Sequence, residues 1–293
     1  MLNRKQRRNS EFEKEAIRKS KKEYLNTYNN TRREIIDLYL DYGDRGIIRP
    51  EEARKYNRLA NTESRIRGHI AYMYNKNGTD LRKDLYDVYN YNYYMSGYNI
   101  EQNYVVDEKY KKLDKDHIKD VIQSDISGAS LNHRLTFNKN KLQFEVIRDL
   151  NRGINNSINV ASTIRQIRDT LDKDFKRHKT TIITETNRVA NVSDNDMYIY
   201  YESKGYKIRR AWIAVLDEKT RDSHRELNGQ KEDSEGYFHI RGRKTKAPGQ
   251  FGIASEDINC RCTTRLELDA EVRKDGFTDV KKWLKDKSIT IDI

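Results

Sequence analysis

Four side chains near the carboxyl end have the types and spacing of a metal site. Cys260 and Cys262 lie two residues apart, so on an extended chain both thiols point to one side. Asp217 and His224 lie seven apart, close to two helical turns, and share a helix face. Together they offer two sulfurs, a nitrogen and an oxygen, a set that zinc accepts in tetrahedral geometry. Cys-x-Cys is tighter than the usual knuckle spacing, and His239 is an alternative nitrogen ligand. A competing reading needs no metal: two small buried cysteines and a His–Asp hydrogen bond. Asp217 then caps a helix by accepting a backbone N–H near Thr220, and Asn228-Gly229 ends that helix with a left-handed residue. A third reading joins Asp217, His224, His239 and Glu256 into the two-carboxylate, two-histidine centre of a metal-dependent nuclease or related hydrolase. Cysteine ligands would close such a centre, whereas a catalytic metal needs a free coordination position.

These residues need a scaffold, and the pattern supplies one. Arg209 to Leu216 reads as a strand with apolar residues on both faces, so it is expected to be covered on both sides. Glycines 229, 236, 242, 249 and 252 mark turns, and a last strand covers Cys262 to Leu268. The preceding two hundred residues, with Pro50 as their only proline, read as mostly helix. Tyr24, Tyr28, Ile35, Leu38 and Tyr42 form one stripe, stopped by Gly43 and Gly46. Pro50, Glu51 and Glu52 open a second helix running through Tyr56, Leu59, Ile66 and Ile70 until Asn77-Gly78 breaks it. A tyrosine-rich third helix covers 80–95, and its rings are expected to line a core rather than stack on bases. Residues 100–140 read as a connector. Periodicity returns from Val146, with Asn151-Arg152-Gly153 as an interruption and a further helix from Ser162 or Thr163. The expected fold is α+β: an extended, mainly helical amino-terminal part, then a small carboxy-terminal domain with a short antiparallel sheet. The expected divisions are 1–140, connecting helices 141–205, a core at 206–268 and a charged tail at 269–293, helical through Trp283.

Set in order, Trp212, Asp217-x-x-Thr220-Arg221-x-x-His224, Asn228-Gly229, Phe238, Pro248-Gly249 and Asn259-Cys260-Arg261-Cys262 resemble the carboxy-terminal domain of phage head morphogenesis proteins, the Mu F-like minor head family. The resemblance covers roughly 140–268 and includes Thr184-Glu185-x-x-Arg188 on the preceding helix. It implies a structural role in the virion head interior, made in the host cytoplasm, associated with the portal and acting in assembly, DNA packaging, delivery or ejection. It implies no known reaction, so the chain is expected not to be an enzyme. In some relatives this domain is joined to a toxin enzyme, and here only about 25 residues follow the resembling stretch.

Charge points the same way. Lys and Arg number 58 against 46 Asp and Glu, for a net +12, which favours a polyanionic partner. Residues 1–33 hold eleven of those cations against four Glu, so more than half of the net charge sits in the first ninth of the chain. Arg4, Lys5, Arg7, Arg8, Arg18, Lys19, Lys21 and Lys22 are the expected contacts to double-stranded DNA, independent of base sequence. The same segment suits a solvated face bound to an acidic portal, scaffold or major capsid protein. Arg221, Arg225 and Arg261 present the same choice between phosphate and internal carboxylate partners. Mean hydropathy is -1.05, and 20 Tyr against 7 Phe predict thin cores between helices, their hydroxyls hydrogen-bonded. No run of about 20 apolar residues is present, so no membrane span is expected. MLNRKQRRNS lacks the apolar stretch of a secretory signal, and two cysteines make no disulfide framework.

Overall fold

The computed structural model describes residues 4–110, 113–126, 128–272 and 278–291. Six helices come first: α1 (Arg4–Tyr42), α2 (Pro50–Arg54), α3 (Arg58–Asn103), α4 (Lys115–Gln123), α5 (Leu131–Asn155) and α6 (Val160–Ser203). Then come β1 (Ile208–Ile213), α7 (Asp222–Leu227), β2 (Phe238–Ile240), β3 (Arg243–Thr245), α8 (Ala254–Asp257), β4 (Thr263–Leu268) and α9 (Val280–Asp286). The α+β expectation holds, with long helices preceding a few short antiparallel strands. Among the described residues no helix is long and apolar enough to cross a membrane.

Several helix boundaries differ from the sequence expectation. Asn77-Gly78 does not break α3, because both residues are buried in one stripe with Met73, Tyr74, Leu81 and Leu85. Burial of that stripe outweighs the cost of about 1 kcal/mol for a helical glycine. The break falls earlier, where Tyr56 and Asn57 take left-handed φ of 51° and 59° and separate α2 from α3. Asn151-Arg152-Gly153 stays helical, since a Cβ at Gly153 would lie 2.4 Å from Thr163 Oγ1: the glycine lets α5 and α6 approach. Helix α6 starts at Val160, its first turn capped by Asn159 Oδ1 accepting from Ser162 N at 2.9 Å. The 100–140 connector contains α4, whose amino end is capped by Asp114 and which buries Ile118, Val121 and Ile122. Of the expected tail, α9 carries Trp283, while 273–277 and 292–293 lie outside the described residues.

The chain forms two compact units. One comprises Lys14–Leu81 and Asn132–Thr180. It is all helical, with Ile35, Leu38, Ile66, Ile70, Leu142, Val146, Leu150 and Leu171 buried. Its interior also holds Asp174, whose Oδ2 accepts from Tyr24 and Tyr74, each at 2.6 Å, while Arg177 reaches Oδ1 at 2.9 Å. This unit has 26 Lys and Arg against 15 Asp and Glu, and so carries +11 of the net +12.

The other unit comprises Met1–Glu13, Arg82–Leu131 and Thr181–Ile293, with 32 Lys and Arg against 31 Asp and Glu. Here β1 pairs antiparallel with β4, Trp212 opposite Thr264, while Trp212 N donates to Gln230 O on the opposite edge. Strands β2 and β3 form a hairpin whose two turn residues, Arg241 and Gly242, both have positive φ, as a tight type I′ turn requires. Trp212, Ala214, Leu227, Phe238, Ile240, Cys260 and Cys262 make the core, with Phe251 packed against it. Tyr89, Tyr91, Tyr93 and Tyr94 are buried, in keeping with packing rather than base stacking.

His178, enclosed in the basic unit beside Tyr24 and Tyr74, has its pKa pushed down to about 4 by burial. The unfolded chain takes up this proton near pH 6.5 and the folded one only near 4, so stability falls as pH drops through that window. The stability of the native chain relative to His178→Phe should fall by up to about 3 kcal/mol between pH 6.5 and 4 in urea titrations. A pH-independent difference would contradict a buried neutral imidazole.

Candidate functional site

The site is built on α6. Its Thr184 Oγ1 accepts from Asn259 N at 3.0 Å, and Asn191 Nδ2 donates to Cys262 O at 3.1 Å, so both ends of the Asn259–Cys262 segment rest on one helix. Between them Arg188 is buried. It donates to Glu185 Oε2 at 3.0 Å, to Val121 O and Ser124 Oγ at 2.8 Å each, and to Ile122 O at 3.2 Å. It thereby adds donors to the carbonyls of Val121 and Ile122 in the last turn of α4, where the helix's own N–H groups run out. Pro248 and Gly249 form a buried turn over Arg188, where a Cβ on Gly249 would lie 3.8 Å from Arg188 Cα.

His224, on α7, and the two cysteines converge as the sequence suggested. His224 Nδ1 lies 3.3 Å from Cys262 Sγ and 3.7 Å from Cys260 Sγ, and all three residues are buried. The group could hold a metal ion, with its three ligand atoms mutually within 4.8 Å. The Cys262 thiol is held below its ordinary range, chiefly by a hydrogen bond from Cys260, with His224 adding to it against desolvation. The same hydrogen bond, together with burial, pushes the Cys260 thiol up.

Asp217 is not part of this group. Arg261 takes its two oxygens at 2.6 Å each, and Asp217 Oδ1 also accepts from Lys219 N at 3.0 Å and Thr220 Oγ1 at 3.1 Å. The cause is local: α7 starts only at Asp222, so Asp217 organises a tight turn before the helix and does not share a helix face with His224. Nor does it cap α7. Gly229 takes the left-handed φ of 83° after the helix, while Asn228 stays at −59° and accepts from Ala214 N through its side chain. Arg221 donates to the carbonyls of Glu256 and Ile258, and Arg225 to those of Thr220 and Asp217, so these cations are used internally. His239 pairs with Asp233 at 2.5 Å, leaving Glu256 as the one carboxylate of the hydrolase reading that reaches His224.

The sequence reading missed what Glu256 does. Its Oε2 lies 3.2 Å from His224 Nε2 and accepts from Ser223 Oγ at 2.9 Å, while Arg243 reaches Oε1 at 2.8 Å. It also missed Asp257, whose two oxygens accept the backbone N–H groups of Phe251 and Ile253 and set Phe251 against His224. The signal was an acidic pair just before Asn-Cys-Arg-Cys, uninformative until α8 turns both residues inward.

The proposed DNA contacts divide. Arg4, Arg7, Arg18, Lys21 and Lys22 are exposed, Lys19 is half-buried, and Arg8 pairs with Glu11 over the Phe12 ring. Lys5 is a correction: it is buried and bonded to Asp194 Oδ2 at 2.7 Å and Ser96 Oγ at 2.8 Å, which removes it from any outside partner. Of the others, Arg18, Lys19, Lys21 and Lys22 belong to the basic unit, whereas Arg4, Arg7 and Arg8 belong to the nearly neutral one.

Residues 140–265, the stretch holding α6, the cysteines and His224, match the family described as Phage Mu protein F like protein. The chain belongs to the Mu F-like family. It is 24% identical over 258 residues to Minor head protein GP7 of Bacillus phage SPP1, covering 85% of this chain and 83% of that one. It is 30% identical over 205 residues, 67% of its length, to NAD(+)--arginine ADP-ribosyltransferase EFV of Enterococcus faecalis (strain ATCC 700802 / V583). That match spans 42% of the relative, less than half its length. No solved structure matches significantly. The second relative corrects the expectation that the Mu F-like chain is not an enzyme, because a protein 30% identical over two thirds of it carries an enzyme's name.

Asn259 sits at φ +57°, between α8 and the cysteines, where asparagine is tolerated and glycine is unstrained. Asn259→Gly should keep the native melting temperature, whereas Asn259→Val should cost about 1–3 kcal/mol. Equal melting curves for the two variants would show that this backbone conformation does not matter.

Proposed function

We propose that this chain is a structural component of the tailed-phage head, lying inside the capsid near the portal, that contacts packaged DNA and acts in assembly and in DNA packaging or delivery. The observation carrying this reading is the match to a minor head protein across most of both chains. The charge distribution supports the DNA part, because +11 of the net charge resides in one helical unit. Along α1, Lys14, Arg18, Lys21, Lys22, Arg32 and Arg33 are exposed over 20 residues, about 28 Å of helix. Such a face neutralises phosphates without reading bases, and its affinity falls steeply with salt. The balanced charge of the other unit, which holds the cysteines and His224, suits protein partners, and the portal, with scaffold or major capsid protein, is the partner we assign to it.

Two experiments test the reading. Purified chain should retard duplex DNA at low salt. With Lys14, Lys21 and Lys22 changed together to Glu, the log–log salt dependence should flatten by about 0.9 for each phosphate no longer neutralised. Changing Arg4 and Arg7 should do less. Absence of retardation at low salt would remove the DNA role, and failure to co-sediment with purified portal would remove the portal role.

A further inference from the structure

We propose that His224, Cys260 and Cys262 are the three protein ligands of a zinc ion, with Glu256 as the outer carboxylate that orients the histidine and with Asp217 excluded. This site is independent of the DNA and portal reading. Tetrahedral zinc, with bonds of about 2.3 Å to sulfur and about 2.0–2.1 Å to nitrogen, sets each sulfur about 3.6 Å from the nitrogen. The distances from His224 Nδ1 to the two sulfurs, 3.3 and 3.7 Å, bracket that value.

The surroundings fit the same ion. Coordination through Nδ1 leaves the proton on Nε2, which faces Glu256 Oε2 at 3.2 Å. Glu256 is held from both sides by Ser223 and Arg243, the carboxylate–histidine–zinc arrangement that fixes a ligand's tautomer. The indole N–H of Trp212 is fully buried and has no hydrogen-bond partner among the described residues, and Trp212 packs in the same core cluster as Cys260 and Cys262. A metal-bound thiolate is an acceptor for that donor. Two thiolates, one neutral imidazole and a divalent ion sum to zero charge, which the core of Trp212, Leu227, Phe238 and Phe251 accommodates without an uncompensated ion. Among the described residues no fourth His, Cys, Asp or Glu joins the group, so the fourth position falls to water. Binding replaces the remaining thiol protons with metal and releases them to solvent.

The test is metal analysis of the full chain purified under reducing conditions, followed by replacement of its metal with cobalt(II). We expect one zinc per chain and, with cobalt, the intense near-ultraviolet thiolate-to-metal absorption and visible bands of a tetrahedral site. Cys260→Ser and Cys262→Ser should lose the thiolate band in proportion. Because either variant can misfold, two conservative changes carry the decision. Asp217→Asn should bind zinc as the native chain does, and Glu256→Gln should bind it 10–100-fold more weakly. Reduced, folded chain that takes up neither zinc nor cobalt would overturn the site. Loss of binding in Asp217→Asn would overturn this ligand set.

Discussion

The carboxy-terminal unit depends on one buried cation. Arg188 sits on α6 with its guanidinium almost out of water, which pushes its pKa down to about 10 and leaves it charged at neutral pH. Such an ion is tolerated only when its donors are satisfied, and here Glu185 and the carbonyl end of α4 satisfy them. Removing one member of a buried pair of this kind typically costs about 3–5 kcal/mol. The same short stretch of α6 carries Thr184 and Asn191, which hold the Asn259–Cys262 segment. Stability and the placing of the cysteines therefore share one helix face.

From that face the geometry follows outward. Segment Asn259–Cys262 runs into β4, β4 pairs with β1, and Trp212 on β1 meets Phe238, Phe251 and His224. Polar groups do the positioning and apolar groups exclude water around them. A buried polar network is stabilising only when its members are paired. The Asp217–Arg261 pair serves the same end from outside, tying the turn before α7 to the residue between the two cysteines.

Much of this arrangement was legible in the sequence. An apolar run filling both faces marked the strand at 209–216 against an observed β1 of 208–213, and the last strand was placed at 262–268 against an observed β4 of 263–268. The meeting of His224 with Cys260 and Cys262 followed from residue type and spacing. Asp217 was misplaced because the seven-residue argument assumed a helix where five residues of turn come first. Lys5 was read as a surface cation because nothing nearby in sequence betrays Asp194, 189 residues away. Helix α3 passes through Asn77-Gly78 because tertiary burial overrode a local preference, and α4 was too short for its period to show.

Amide hydrogen exchange in an Arg188→Gln protein tests the central claim most directly, namely that this one side chain joins α4 to the face of α6 on which Thr184 and Asn191 hold the cysteine segment. Exchange at 118–124 and 258–264 should be slow in the native chain and should accelerate in both segments together in the variant. Native protection persisting in either segment would contradict the account.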